Sequence, residues 1–331
     1  CYLNPSNAQT YQVEEVSYEF SMVPVPGVNS KYDDFSPVWF NDQLIFTSGR
    51  ESNLVLQGEN NWGKQGFLNV FKSEFKFSDS VAANGEKVQL YSKQIANNNH
   101  TGPVAFTLTG DTIFFTQLTE RIKRQKEQRK PQIYMAVNVK GKWEDIQLLP
   151  FNDREYSFGH PAWDNKNQTL YFSSDMPNGK GGKDIYSVSL SNGSWSQPKN
   201  IEVNSDQDEM FPFIIGNDLF FSSNREGGKG NLDIYWKQLG TPEKIQNVDA
   251  LNTADDDHGL FILPDHRNGF MAQRVNGNDD IYSDYFKAGL IDEAGFLTLE
   301  GVRRDEIGNG LLFSIETIFI PDALQIALPA A

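Results

Sequence analysis

Three aspartates recur in one local setting, Asp184-Ile185-Tyr186, Asp233-Ile234-Tyr235 and Asp280-Ile281-Tyr282, spaced by 49 and 47 residues. Each follows a Gly-containing turn and precedes an aliphatic-aromatic pair. Carboxylates repeated in this way could form a ring of metal or sugar ligands. The same pattern suits a structural task, in which each Asp accepts loop N–H groups and pins its turn. That structural role is the expected one, for Tyr186, Tyr235 and Tyr282 as well. Acidic groups also recur as Asp33-Asp34, Asp208-Glu209 and Asp255-Asp256-Asp257. Together they would present a negative rim on one face of the molecule. A cation there stays possible, but the spacing of a calcium loop is absent, and neither a metal nor another cofactor is expected.

Other chemistry finds little support. The chain has no Gly-x-Ser-x-Gly nucleophile elbow and no His-Glu-x-x-His pair, and its four histidines (His100, His160, His258, His266) are scattered. His160 and His258 both fall at the start of a repeated element, where a loop hydrogen bond is expected rather than catalysis. A glycosidase would need convergent carboxylates with separate roles, and convergence cannot be read from order along the chain. No catalytic residue is assigned, and the protein is read as a non-enzyme. The run 121–130 carries six basic residues, Arg121, Lys123, Arg124, Lys126, Arg129 and Lys130, in a chain of net charge −15. Such runs are usually solvated. Here the sign opposes that of the whole protein, so a contact with an acidic partner or anionic lipid is a candidate role. Trp62, in the polar insertion Glu51–Gly66, marks a second candidate contact surface.

These residues need elements to hold them, and the elements repeat. A first element reads Ser36-Pro37-Val38-Trp39, Gly102-Pro103-Val104-Ala105, His160-Pro161-Ala162-Trp163, Phe211-Pro212-Phe213-Ile214 and, degenerately, His258-Gly259-Leu260-Phe261. A second follows each time, as in Ile113-Phe114-Phe115-Thr116 and Leu219-Phe220-Phe221-Ser222. The third contains the Asp-Ile-Tyr triplets, with Asn69-Val70-Phe71 and Gln132-Ile133-Tyr134 in their place earlier. Successive third elements are separated by 63, 52, 49 and 47 residues. A period near 50 signals a propeller, and turn clusters such as Pro177-Asn178-Gly179 and Asn276-Gly277-Asn278 are hairpin chemistry. The nearly continuous apolar second element suits a strand buried on both faces. A weaker fourth strand is expected at Lys142–Ile146, at Ser194–Ser196 with Asn200–Glu202, and at Glu243–Ile245. The chain is thus expected to be all-β, a β-propeller of five blades, with six as the alternative.

Closure follows from a second repeat. Val28-Asn29-Ser30 through Ser36-Pro37 matches Val203-Asn204-Ser205 through Phe211-Pro212, a segment that links an outer strand to the next blade. A strand within Val13–Val25 should therefore be an outer strand, and the fifth repeat, ending near Phe286, lacks one. The N-terminal strand is expected to complete the last blade and so remove two exposed edges. The expected division is a tether over 1–12, the propeller over 13–286, and a small β appendage or truncated β domain over 287–331. Within that last stretch, Phe296–Val302 and Leu311–Ile315 read as a hairpin around Gly308-Asn309-Gly310.

Phe172-Ser173-Ser174-Asp175 through Asp184-Ile185-Tyr186, and more closely Phe221-Ser222-Ser223-Asn224-Arg225-Glu226-Gly227-Gly228 through Asp233-Ile234-Tyr235, resemble the WD40-like repeat of TolB-type β-propellers. The linker Val203–Pro212 is similar to that of propellers in Bacteroidetes envelope proteins, including relatives with OmpA-like domains or roles in type IX secretion. The resemblance spans roughly residues 28–286 and is weakest where Gln132 replaces Asp. No OmpA-like domain fits in the remaining residues. It implies an envelope protein, and in that setting Cys1, the single cysteine, resembles the lipidated residue of bacterial lipoproteins. Acyl chains contribute about 0.8 kcal/mol per buried methylene, so several hold firmly.

The expectation is a non-catalytic lipoprotein of the outer membrane, with the periplasmic face favoured over the cell surface. Its propeller would serve as an interaction platform for envelope proteins in secretion, motility or uptake. The alternative is a glycan-binding or glycan-hydrolysing propeller. One cysteine excludes an intramolecular disulfide, the acidic balance argues against nucleic acid, and no apolar run approaches the roughly 18 residues of a membrane span.

Overall fold

A computed structural model describes residues 15–51, 67–76, 84–96, 100–119, 129–242, 244–263, 268–292, 295–298, 303–304 and 310–311. The described residues form a five-bladed β-propeller. The chain enters through β1 (Glu15–Pro24). Blade one is β2 (Asp34–Phe40), β3 (Gln43–Ser48), β4 (Asn69–Lys76) and β5 (Asn84–Leu90). Blade two is β6 (Thr101–Phe106), β7 (Thr112–Leu118), β8 (Pro131–Val139) and β9 (Lys142–Leu148). Blade three is β10 (Phe158–Asp164), β11 (Thr169–Ser174) and β12 (Asp184–Ser191), edged by two short strands, β13 (Ser194–Trp195) and β14 (Lys199–Asn200). Blade four is β15 (Glu209–Ile215), β16 (Asp218–Ser223), β17 (Asp233–Gln238) and β18 (Gln246–Asn247). Its outer strand thus lies just after the expected Glu243–Ile245. Blade five contributes β19 (Asp257–Ile262), β20 (Asn268–Val275) and β21 (Asn278–Asp292).

The fourth strand of blade five is β1, antiparallel to β21 from Glu15↔Ile291 to Pro24↔Tyr282. The two ends of the ring share one sheet, as the repeated linker implied. β21 runs beyond the expected end at Phe286. Further on, β22 (Gly295–Thr298) pairs with β21, and β23 (Arg303–Arg304) pairs with β24 (Gly310–Leu311). Phe296–Thr298 therefore extends the fifth sheet, and Leu311 pairs with Arg303 rather than with that strand; residues 312–315 of the expected hairpin lie outside the described residues.

The second strands carry the core. β11 and β16 are buried at every position. Because side chains alternate across a strand, each of these strands packs against both neighbouring blades. Leu44 and Phe46 face blade five, whose Phe270 and Ile281 share their cluster, while Ile45 joins Val104, Ile113 and Phe115 of blade two. Three further clusters fill the remaining joints, so each joint between blades has its own apolar core. Burying one such Phe or Ile stabilises the fold by roughly 1.5–3 kcal/mol.

Candidate functional site

The innermost strands β2, β6, β10, β15 and β19 surround the central channel, and each has a bulge at its repeated motif. The bulge holds one residue in the left-handed region: Ser36 (φ 50°), Gly102 (φ 114°), His160 (φ 53°), Phe211 (φ 50°) and Gly259 (φ 65°). The equivalent of His160 in the fifth blade is therefore Gly259, not His258, and the fifth motif reads Gly259-Leu260-Phe261-Ile262. A Cβ on Gly259 would stand 3.3 Å from the Ser36 Cα, so a side chain there would press on blade one. A bulky residue such as Phe211 is a genuine outlier at positive φ, and bulges of this kind re-aim side chains.

Here they aim rings across the waist of the channel. His160 stacks on Phe211 at 3.9 Å between centroids, and Phe211 stacks on His258 at 4.5 Å. Phe35 meets His258 edge-on. The Phe211 N–H donates to His160 Nδ1 at 3.4 Å, which leaves the His160 proton on Nε2. Burial, with lesser contributions from His258 and Lys183, pushes the His160 imidazole down to about 3. His258 is 4% exposed, and its Nε2 lies 3.6 Å from Asp279 Oδ1. Burial raises the Asp279 carboxyl, but His258 and Arg274 outweigh it and hold the group below the usual carboxylate range.

Beyond this waist lies a cavity of about 450 Å³ that opens among the hairpins joining first and second strands. Val38, Phe40, Phe106, Phe213 and Ile262 are among its walls, with Trp39 and Trp163 beside them. Phe40 and Phe106 stack at 4.1 Å, and Leu108 stands 83% exposed at the rim. Among the described residues the lining includes no carboxylate, Lys or Arg, and His160 is its one titratable side chain.

The opposite face bears the linkers between blades, and here the repeated acids are found. Asp184 accepts the Lys180 and Gly181 N–H groups, and Asp233 accepts those of Lys229 and Gly230. Both aspartates are 1% exposed. Tyr186 and Tyr235 donate to the carbonyls of Met176 and Arg225. Asp280 is only half-buried, has no such amide partner among the described residues, and follows a shorter turn. Burial, then Asp34, Asp279 and Asp33, raises its carboxyl, and Tyr282 is raised by burial and by Asp280. Gln132, in the equivalent place of blade two, reverses the polarity and donates to the carbonyls of Asp153 and Tyr156.

The acidic pairs divide their work. The first member of each staples neighbouring blades: Asp33, Asp208 and Asp256 accept the N–H groups of Asp279, Lys183 and Leu232. His100 Nδ1 does the same for the Leu68 N–H. The second member is buried. Arg50 holds Asp34 at 2.6 Å and Arg225 holds Glu209 at 2.8 Å, each Arg also donating to a linker carbonyl, of Val28 or Val203. In blade five Gln273 replaces the arginine beside Asp257. These arginines were not singled out in the sequence, although Ser48-Gly49-Arg50 and Ser223-Asn224-Arg225 recur two residues past the second strand. Among the described residues no group of three or more His, Cys, Asp or Glu could hold a metal ion.

Of the candidate contact residues, Cys1, Trp62, Arg121, Lys123, Arg124 and Lys126 lie outside the described residues. Arg129 and Lys130 are half-buried just before β8. Lys130 reaches blade three, with Nζ 3.6 Å from Asp175 and 5.7 Å from the Tyr156 ring centroid.

No known family model and no curated protein sequence matches the chain. Solved structures with a similar course of chain include one described as a TolB of Agrobacterium tumefaciens, with a TM-score of 0.45 and 11% identity over 86% of this chain and 88% of that one. A family 117 glycoside hydrolase produced by Zobellia galactanivorans gives a TM-score of 0.44 and 9% identity over 81% and 90%. A puromycin-hydrolyzing peptidase of Mycobacterium tuberculosis gives 0.42 and 11% over 84% of this chain but 48% of its own. The chain thus spans less than half of that peptidase. The class defined by the geometry is a five-bladed β-propeller closed by its N-terminal strand.

Proposed function

We propose that this propeller is a non-catalytic interaction platform of the bacterial cell envelope, with its linker-bearing face engaging a protein partner. The observation that carries this reading is the chemistry of the channel. Glycoside hydrolysis requires two carboxyl groups across a reacting bond, and the described residues lining the cavity include neither Asp nor Glu. The single titratable ring there, His160, is neutral and shares its Nδ1 with a backbone amide. The linker face, by contrast, carries charges of both signs around Asp33, Asp280, Lys130 and Asp175. In this proposal the basic run 121–130 selects an acidic partner. In the same proposal an acylated Cys1 holds the ring to the outer membrane from the periplasmic side.

Affinity isolation of the native protein from membranes tests the reading. A specific envelope partner should be recovered, and replacing the six basic residues of 121–130 with Gln should reduce its recovery and its salt sensitivity. Recovery as a lone soluble monomer would overturn the platform. Mass spectrometry of the N-terminal peptide tests the anchor, and an unmodified Cys1 would overturn that part.

A further inference from the structure

The cavity on the hairpin side of the channel is not used by a platform that works through its linker face. Its volume, about 450 Å³, falls within the range of small-molecule sites. Its walls are aliphatic and aromatic, and its floor is made by the bulge residues of the waist.

Two polar groups of that floor are unspent. Ser36 is 6% exposed, and its buried Oγ has no hydrogen-bond partner. His160 gives Nδ1 to the Phe211 N–H, and its Nε2–H has no partner among the described residues. A buried hydroxyl without a partner costs about 1–3 kcal/mol, and native proteins seldom leave one so. Both residues are also held at positive φ, 50° and 53°, by the bulges. Backbone strain of this kind persists where the surrounding structure imposes it, and it clusters at ligand sites. Two unrelated costs therefore meet at one place, at the end of an apolar cavity.

We propose that this cavity binds a small neutral molecule with an apolar body and a hydrogen-bond acceptor oxygen, which takes the free donors of Ser36 and His160. The ligand is neutral because the described lining is. With His160 held uncharged, an entering carboxylate finds no cation, and an ammonium finds no carboxylate, among the described residues of the lining. Either would be an unpaired buried charge, which is far more costly than an unpaired hydroxyl. The aromatic pair Phe40 and Phe106 offers stacking surface to an aromatic or flat aliphatic body. This site stands apart from the platform reading, since partner recovery and cavity binding report on opposite faces.

Three probes of matched shape test the proposal: butyrophenone, which has a carbonyl; butylbenzene, which has none; and 4-phenylbutyrate, which is an anion. Trp39 and Trp163 line the cavity, so their fluorescence reports occupancy, and titration calorimetry gives the affinity. Butyrophenone should bind saturably, and 4-phenylbutyrate at least about tenfold more weakly. Ser36→Ala and His160→Phe should each weaken butyrophenone about fivefold, the effect of one hydrogen bond, and leave butylbenzene unchanged. His160→Phe places the residue found at the equivalent position 211, and a retained melting temperature shows that either variant folds. Absence of saturable binding by butyrophenone overturns the site. Equal or tighter binding of 4-phenylbutyrate overturns its neutrality. Equal losses for butyrophenone and butylbenzene in both variants overturn the polar floor.

Discussion

Asn29 and Ile281, 252 positions apart, are joined by two hydrogen bonds: Asn29 Nδ2 donates to the Ile281 carbonyl at 2.9 Å, and Asn29 Oδ1 accepts the Ile281 N–H at 2.8 Å. The side-chain amide acts as one more strand partner for β21. Asn152, Asn204 and Asn252 do the same for Ile133, Ile185 and Ile234. The joint that closes the ring is therefore built like three of the joints within it. Asn29→Ala leaves the Ile281 N–H unmatched, while the Ile281 carbonyl keeps the Val25 N–H, and should cost about 1–3 kcal/mol in urea unfolding. Asn204→Ala should cost a similar amount. Only Asn29→Ala should speed amide exchange along β1, and slow exchange there in the variant would count against the closing role.

The Arg225–Glu209 pair is buried on the acid side, with the Glu209 side chain 0% and the Arg225 side chain 15% exposed. Glu209 also accepts from Ser205 and Ser223. Arg225→Met strands that carboxylate and should destabilise by about 3–5 kcal/mol. Combining it with Glu209→Leu should recover much of the loss, because the costly species is the unpaired charge. A double-mutant cycle in urea measures this, and strictly additive losses would show that the pair is not coupled.

Asp257 occupies the place of Glu209 without an arginine. Burial pushes its carboxyl up to about 6, against the opposing hydrogen bonds from Thr253 and Gln273, with Asp233 adding to the rise. The unfolded value is near 3.9. Between about pH 4 and 6 the folded state therefore holds more protons than the unfolded state. Stability falls as pH rises through that window, by roughly 2–3 kcal/mol for this group. Asp257→Asn should flatten that slope, because an amide at this position does not titrate. Urea midpoints at pH 5 and pH 8 check the sign, and an unchanged slope in the variant would falsify the assignment.

Two glycines of one loop should differ. A Cβ on Gly230 would run into the Asp255 carbonyl of the neighbouring linker, whereas one on Gly227 meets nothing within 4 Å but sits at φ +94°. Gly230→Ala should cost about 1–3 kcal/mol by overpacking a backbone. Gly227→Ala should cost nearer 1 kcal/mol, from its dihedral alone. Thermal melting ranks the two, and an equal loss would place Gly230 in open space.

Some of this was legible before any coordinates. The order of strands, the blades and the closing role of β1 all rest on short motifs that recur along the chain, such as Val28–Pro37 and Val203–Pro212. In the sequence the fifth motif reads one residue early, because Leu260 stands where the other four copies have proline and His258 falsely matches His160. What marks the position is a positive φ, and at Gly259 no proline follows to announce it.

The amino-acid order by itself determined the periodic part of this protein: strands of a given length, buried on both faces, repeated until an N-terminal strand completes the last sheet. These are local patterns, and hydrophobic alternation with turn chemistry specifies them within each repeat. Only the tertiary structure decided the waist and the cavity. His160, Phe211, His258 and Ser36 come from four different blades, and closure of the ring alone brings them together. The arginine pairs and the neutral state of His160 belong to the same class, because burial and neighbours across a joint, not residue type, set their electrostatics.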